Sequence, residues 1–84
     1  MSNQDRRHHL GTIIRDGRLA AEPPLTQEAL AERLDRAQAS VSAWEAGKQI
    51  PAVPALLAIS RELGIPAEVL LTAAGEASTE ALPA

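Results

Sequence analysis

The chain has no cysteine, no phenylalanine and no tyrosine, and Trp44 is its only aromatic residue. Without cysteine there are no disulfides and no thiolate metal sites, which accords with a reducing, cytoplasmic setting. The only imidazoles are the adjacent His8 and His9. Neighbouring side chains diverge on a helix or strand and no third ligand stands at suitable spacing, so neither a metal nor another cofactor is expected. No apolar run approaches the roughly 20 residues needed to span a bilayer, and Met1-Ser2-Asn3-Gln4-Asp5 does not read as a signal peptide. A soluble protein is the expectation. Catalysis needs an acid, base or nucleophile positioned in a pocket. The histidines fall on a terminal arm and the serines have no evident base partner, so no enzymatic activity is expected.

At 84 residues the chain has room for one domain with a single core. That length leaves no space for a separate ligand-binding domain, and no small-molecule ligand is expected. The apolar residues are mostly Ala, Leu, Ile and Val, and strong strand formers are sparse, so an all-α fold is predicted. The net charge of −3 is unevenly spread. Up to Arg61 eight basic residues face seven acidic ones, whereas from Glu62 onward there are four glutamates and no base. The acidic excess therefore belongs to the C-terminal part.

Five helices are predicted. The first spans 8–21, with Leu10, Ile13 or Ile14, and Leu19 inward; Gly17 weakens it, by about 1 kcal/mol relative to Ala. Glu22-Pro23-Pro24 stops it, because proline cannot donate to the helical ladder and disfavours helical geometry in the residue before it. Thr26 offers an N-cap hydroxyl to a second helix over 27–34, burying Ala29 or Leu30, Ala31 and Leu34. Asp35 and Arg36 break the pattern. A third helix covers 38–46, and at 100° per residue Val41 and Trp44, with Ala37 one turn earlier, share the inward side. Ala39, Ser42, Ala43 and Ala46 then point outward, and Gln38 stands at the N-terminal corner. Gly47 suits a left-handed cap. Pro54 opens a fourth helix, 54–63, with Leu56, Leu57, Ile59 and Leu63 apolar. Pro66 begins a fifth that carries Val69, Leu70 and Leu71. The domain is thus expected over 10–74, preceded by a solvated arm at 1–9 and followed by a flexible acidic tail at 75–84.

A helix of about eight residues, a tight break and a second helix is the unit that presents one helix to the major groove of DNA. The run Leu25-Thr26-Gln27-Glu28-Ala29-Leu30-Ala31, then Ser40-Val41-Ser42-Ala43-Trp44-Glu45-Ala46-Gly47-Lys48, then Pro51 and Leu56-Leu57 through Leu63-Gly64-Ile65 resembles the phage-repressor/Cro-like helix-turn-helix proteins, also called the XRE family. The resemblance covers residues 10–71. It implies a five-helix lambda-repressor-like DNA-binding domain in which helices 2 and 3 form the helix-turn-helix and helix 3 is the recognition helix.

Carried onto this chain, the resemblance has Gln27 contact a phosphate with help from the helix dipole. Gln38 reads a base, since its amide can bond adenine at two points. Ala39, Ser42 and Ala43 line the groove, Arg36 and Ser40 are further candidates for phosphate contact, and Lys48 reaches a phosphate from the following loop. Glu45 pairs with an arginine of helix 1, Arg18 or alternatively Arg15. A small transcriptional regulator, in particular a repressor, acting as a homodimer through its C-terminal helices on double-stranded DNA is the implied function.

The chain departs from the family pattern at Asp35, where glycine is usual; at Arg36, usually a small aliphatic; and at Ala37, usually a Ser or Thr cap. Loss of that cap costs about 1 kcal/mol. No arginine or lysine lies between Arg36 and Lys48. Two-point guanine recognition from helix 3 is therefore excluded, and an A/T-leaning site is expected. The alternative function is a protein-interaction module on the same fold, such as an antitoxin or a bridging protein. It is suggested by the bland outward face of helix 3 and the acidic C-terminal half.

Overall fold

In the computed structural model residues 3–75 are described, and among them every regular element is a helix. They are α1 (Asn3–Ala20), α2 (Gln27–Leu34), α3 (Gln38–Glu45), α4 (Val53–Leu63) and α5 (Ala67–Ala73). The order and spacing agree with the sequence-based expectation of a five-helix fold. One core serves all five: Leu10 and Ile14 from α1, Leu30 from α2, Val41 and Trp44 from α3, Leu56 and Ile59 from α4, and Leu70 from α5. The strongest packing joins α3 to both α2 and α1, while α5 closes the far side against α4 and α1.

The first helix begins at Asn3, five residues before the expected start. Residues 3–9 are therefore helix rather than the predicted solvated arm. Side-chain packing explains the extension: a Cβ built on Gly47 would lie 2.9 Å from His8 Nδ1, and one on Gly75 would lie 2.7 Å from Arg6 Cδ. This first part of α1 rests on the ends of α3 and α5. The expected tail lies outside the described residues, apart from Gly75.

Within α1 the inward register runs Leu10, Ile14, Arg18, a spacing of four. Leu19, expected inward, is 47% exposed because Arg18 takes that register in its place. On α2, Leu30 and Ala31 are buried, whereas Ala29 and Leu34 are half-buried. Ala37 is exposed, since it caps α3 from outside the helix with an extended backbone and faces no core. On α4, Leu57 is exposed and Ala55 takes the buried position beside Leu56. Pro66 precedes α5 as its N-cap and is not its first residue.

Both ends of the α2–α3 pair are closed by backbone hydrogen bonds. Asp35 adopts the left-handed conformation at φ 57°, so that its N–H reaches Glu32 O and the N–H of Arg36 reaches Ala31 O. Aspartate is among the non-glycine residues that best tolerate this region. At the other end Gly47, at φ 76°, lets its own N–H bond to Trp44 O and that of Lys48 bond to Ala43 O. The two closures together are Schellman motifs, which satisfy the last carbonyls of each helix and aim the chain out of it.

Candidate nucleic-acid interface

Gly11 decides where α3 sits. It is buried, and a Cβ on it would lie 2.6 Å from the carbonyl oxygens of both Trp44 and Glu45. Only a residue without a side chain lets the α1 and α3 backbones approach this closely. The sequence reading assigned Gly11 no role, although it sits one residue beyond Leu10 on a predicted buried helix. With the backbones in contact, the opposite side of α3 is left facing outward.

That outward side carries Gln38, Ala39, Ser42 and Ala46, all exposed, with Ser40 and Ala43 half-buried at its margins. The start of α3 has no side-chain cap, because Ala37 offers none. Arg36 and Lys48 are exposed at the two ends of the helix. Neither they nor Gln38 engage in a side-chain hydrogen bond or ion pair among the described residues.

A hydrogen-bonded cluster centred on Glu45 ties this face to α1 and α2. Arg18 donates from Nε to Glu45 Oε2 at 2.7 Å and from Nη2 to Oε1 at 2.8 Å, a two-point pairing in which both side chains are nearly excluded from solvent. The structure thus pairs Glu45 with Arg18 and leaves Arg15 exposed. The third guanidinium nitrogen of Arg18, Nη1, donates to Leu25 O at 2.9 Å, while Arg18 O accepts from Leu25 N at 3.1 Å. One residue therefore holds both backbone groups of Leu25 and anchors the loop that delivers α2. Hydrogen bonding to Glu45 raises the Arg18 pKa, burial acts in the opposite sense, and the charge of Glu45 adds to the rise. The guanidinium accordingly stays charged at every physiological pH.

Gln27 completes the cluster, donating from Nε2 to Glu45 Oε1 at 3.1 Å. One amide proton is used here, and the second remains for a partner outside the protein. Thr26 caps the same helix, accepting from Ala29 N at 2.9 Å. The resulting surface is a shallow polar depression lined by Arg15, Arg18, Gln27, Ser42, Glu45 and Ala46. It brings together Gln27 and Ser42, which the sequence separates by a helix and a turn. Gln38, Arg36 and Lys48 lie outside it. Among the described residues no group of three or more His, Asp or Glu side chains is placed to hold a metal ion, and no helix is long and apolar enough to cross a membrane.

Comparison with known proteins gives one match. A family model described as helix-turn-helix matches residues 25–70, from the loop before α2 into α5. No curated protein and no solved structure matches the chain.

Proposed function

The chain belongs to the phage-repressor/Cro-like (XRE) helix-turn-helix family of DNA-binding regulators, and from that premise we propose that it is a sequence-specific repressor whose α3 enters the major groove of double-stranded DNA. The observation that carries this reading is the outward face of α3. It is exposed, free of internal hydrogen bonds at Gln38, and held on a helix whose position is set by backbone contact at Gly11 and by the Arg18–Glu45 pair.

In this reading Gln38 bonds an adenine edge, Ser42 a neighbouring base, and the methyl groups of Ala39 and Ala43 meet thymine methyls. Gln27, Arg36, Ser40 and Lys48 contact phosphates and set the register without reading sequence. The site leans toward A/T pairs because the face carries no cation to bind guanine. A second copy of the chain doubles the contacts on a two-fold site, with the half-sites one or more helical turns apart. The exposed Val69 on α5 supports a dimer through the C-terminal helices. The protein acts in the cytoplasm and represses by occupying its site.

Selection from random duplex DNA by the purified protein tests the proposal. The expected result is an A/T-rich two-fold motif, changed in sequence by Gln38→Ala but only uniformly weakened by Lys48→Ala. A motif whose information lies in guanines opposite α3 would contradict it. Failure to bind any DNA at low salt would favour the protein-interaction module instead.

A further inference from the structure

The polar depression between α1, α2 and α3 holds three charged groups: Arg15, Arg18 and Glu45. Arg18 and Glu45 neutralise one another through their two-point pairing. Arg15 remains as the uncompensated charge of the depression, exposed and without a hydrogen bond or ion pair among the described residues. Around it stand the Ser42 hydroxyl and the second amide proton of Gln27. These are donors, and Glu45, the one acceptor carboxylate, already takes hydrogen bonds from Arg18 and Gln27. A site with unspent donors, a net positive charge and open access suits an anion with several acceptor oxygens.

We propose that Arg15 clamps a backbone phosphate of the DNA in this depression, together with Gln27. The inference rests on the DNA-binding reading above and adds to it a contact from α1, an element outside the helix-turn-helix. Arg18 is spent on structure instead: Nη1 and Nη2 each keep one proton, but its charge is paired with Glu45, all three nitrogens already donate within the protein, and its side chain is only 10% exposed. The cluster therefore divides the labour between two arginines three residues apart. Arg18 holds Glu45 and, through it, Gln27 in place; Arg15 supplies the charge.

The test compares wild type, Arg15→Ala and Arg15→Lys on a selected duplex across a series of salt concentrations, with thermal melting of each protein alongside. Arg15→Ala is expected to weaken binding about tenfold at low salt, on all sequences alike, and to reduce the slope of log K against log salt by about 0.9 per protomer. Arg15→Lys should keep the slope while losing part of the affinity, because charge is retained and the two-point fork is lost. Replacing single phosphates by uncharged methylphosphonates should reveal one position per half-site where the substitution weakens wild type but no longer affects Arg15→Ala. Melting should be unchanged, since an exposed residue without partners is being altered. An unchanged slope for Arg15→Ala, or equal sensitivity of both proteins to every neutralised phosphate, would overturn the clamp while leaving DNA binding intact. If wild type itself binds no duplex at low salt, both the clamp and the functional reading fall.

Discussion

Arg18 is the residue on which the helix-turn-helix hangs. Burying a guanidinium is costly unless it is paired and hydrogen-bonded, and here each of Nε, Nη1 and Nη2 finds an oxygen acceptor. Among the described residues no buried side-chain nitrogen or oxygen lacks a partner. Removing one member of such a pair costs more than removing both. Glu45→Ala, which strands the buried charge, is expected to destabilise the fold by about 3–5 kcal/mol in urea denaturation, whereas Arg18→Met combined with Glu45→Leu should recover much of that loss. Equal losses for the single and double variants would show that the pair is not acting as a coupled unit. The raised Arg18 pKa carries a sign: its stabilisation is fully present below the unfolded value and is lost only as pH rises through the folded one. No loss from the arginine is therefore expected through the range in which lysine titrates. That Glu45 would find an arginine on α1 was legible from the family pattern. The pattern favoured Arg18 and kept Arg15 as the alternative, because residues three apart lie only 60° apart around a helix. The docking of α1 on α3 makes the choice.

Among the elements, α3 is held more by its neighbours than by its own sequence. Eight residues are too few to be stable alone, and its N-cap contributes no side-chain bond. Ala37 has the extended backbone of an N-cap and is exposed, so Ala37→Ser should add about 1 kcal/mol of stability, read as a higher melting temperature. A serine that leaves melting unchanged would mean that water already satisfies the first N–H groups. Gly11 works in the opposite direction. Alanine there would favour the helix by about 1 kcal/mol in isolation. Its Cβ, however, would stand 2.6 Å from two carbonyl oxygens of α3, and backbone cannot yield as a side chain can. Overpacking costs about 1–3 kcal/mol, so the net expectation for Gly11→Ala is a loss of up to about 2 kcal/mol together with weaker DNA binding as α3 is displaced. A gain in stability would refute the close approach. Asp35 in the turn was readable in advance from its tolerance of positive φ. The early start of α1 was not, because it depends on His8 and Arg6 resting on distant glycines.

For the whole molecule, the net charge of −3 is compatible with DNA binding because charge is partitioned. In the sequence the acidic excess lies from Glu62 onward, after the helix-turn-helix segment, and the proposed contacts need only Arg15, Arg36 and Lys48 as cations. At about 0.9 per neutralised phosphate, log K should fall with log salt at a slope of about −3 per protomer and about −5 for a dimer on a two-fold site. Binding measured across salt concentrations checks this. A slope near zero would place affinity in uncharged contacts, and one near −10 would require cations not on this face. The exposed apolar residues away from that face, Val53 and Leu57 on α4 and Val69 on α5, stand where a second copy or another protein can meet the domain.

Composition and periodicity alone determined that the chain is helical, where α2 to α5 fall, and that Val41 and Trp44 turn inward while Gln38, Ala39 and Ser42 turn outward. These are properties of one helix at a time, set by propensity, caps and a period of 3.6 residues. Contacts between elements were decided only by the tertiary structure. The backbone crossing at Gly11, the selection of Arg18 over Leu19 for the core and over Arg15 for Glu45, and the meeting of Gln27 with Ser42 all depend on how α1 lies across α3. A side-chain pattern reports which face of a helix is apolar, but not the distance or angle at which that face meets another.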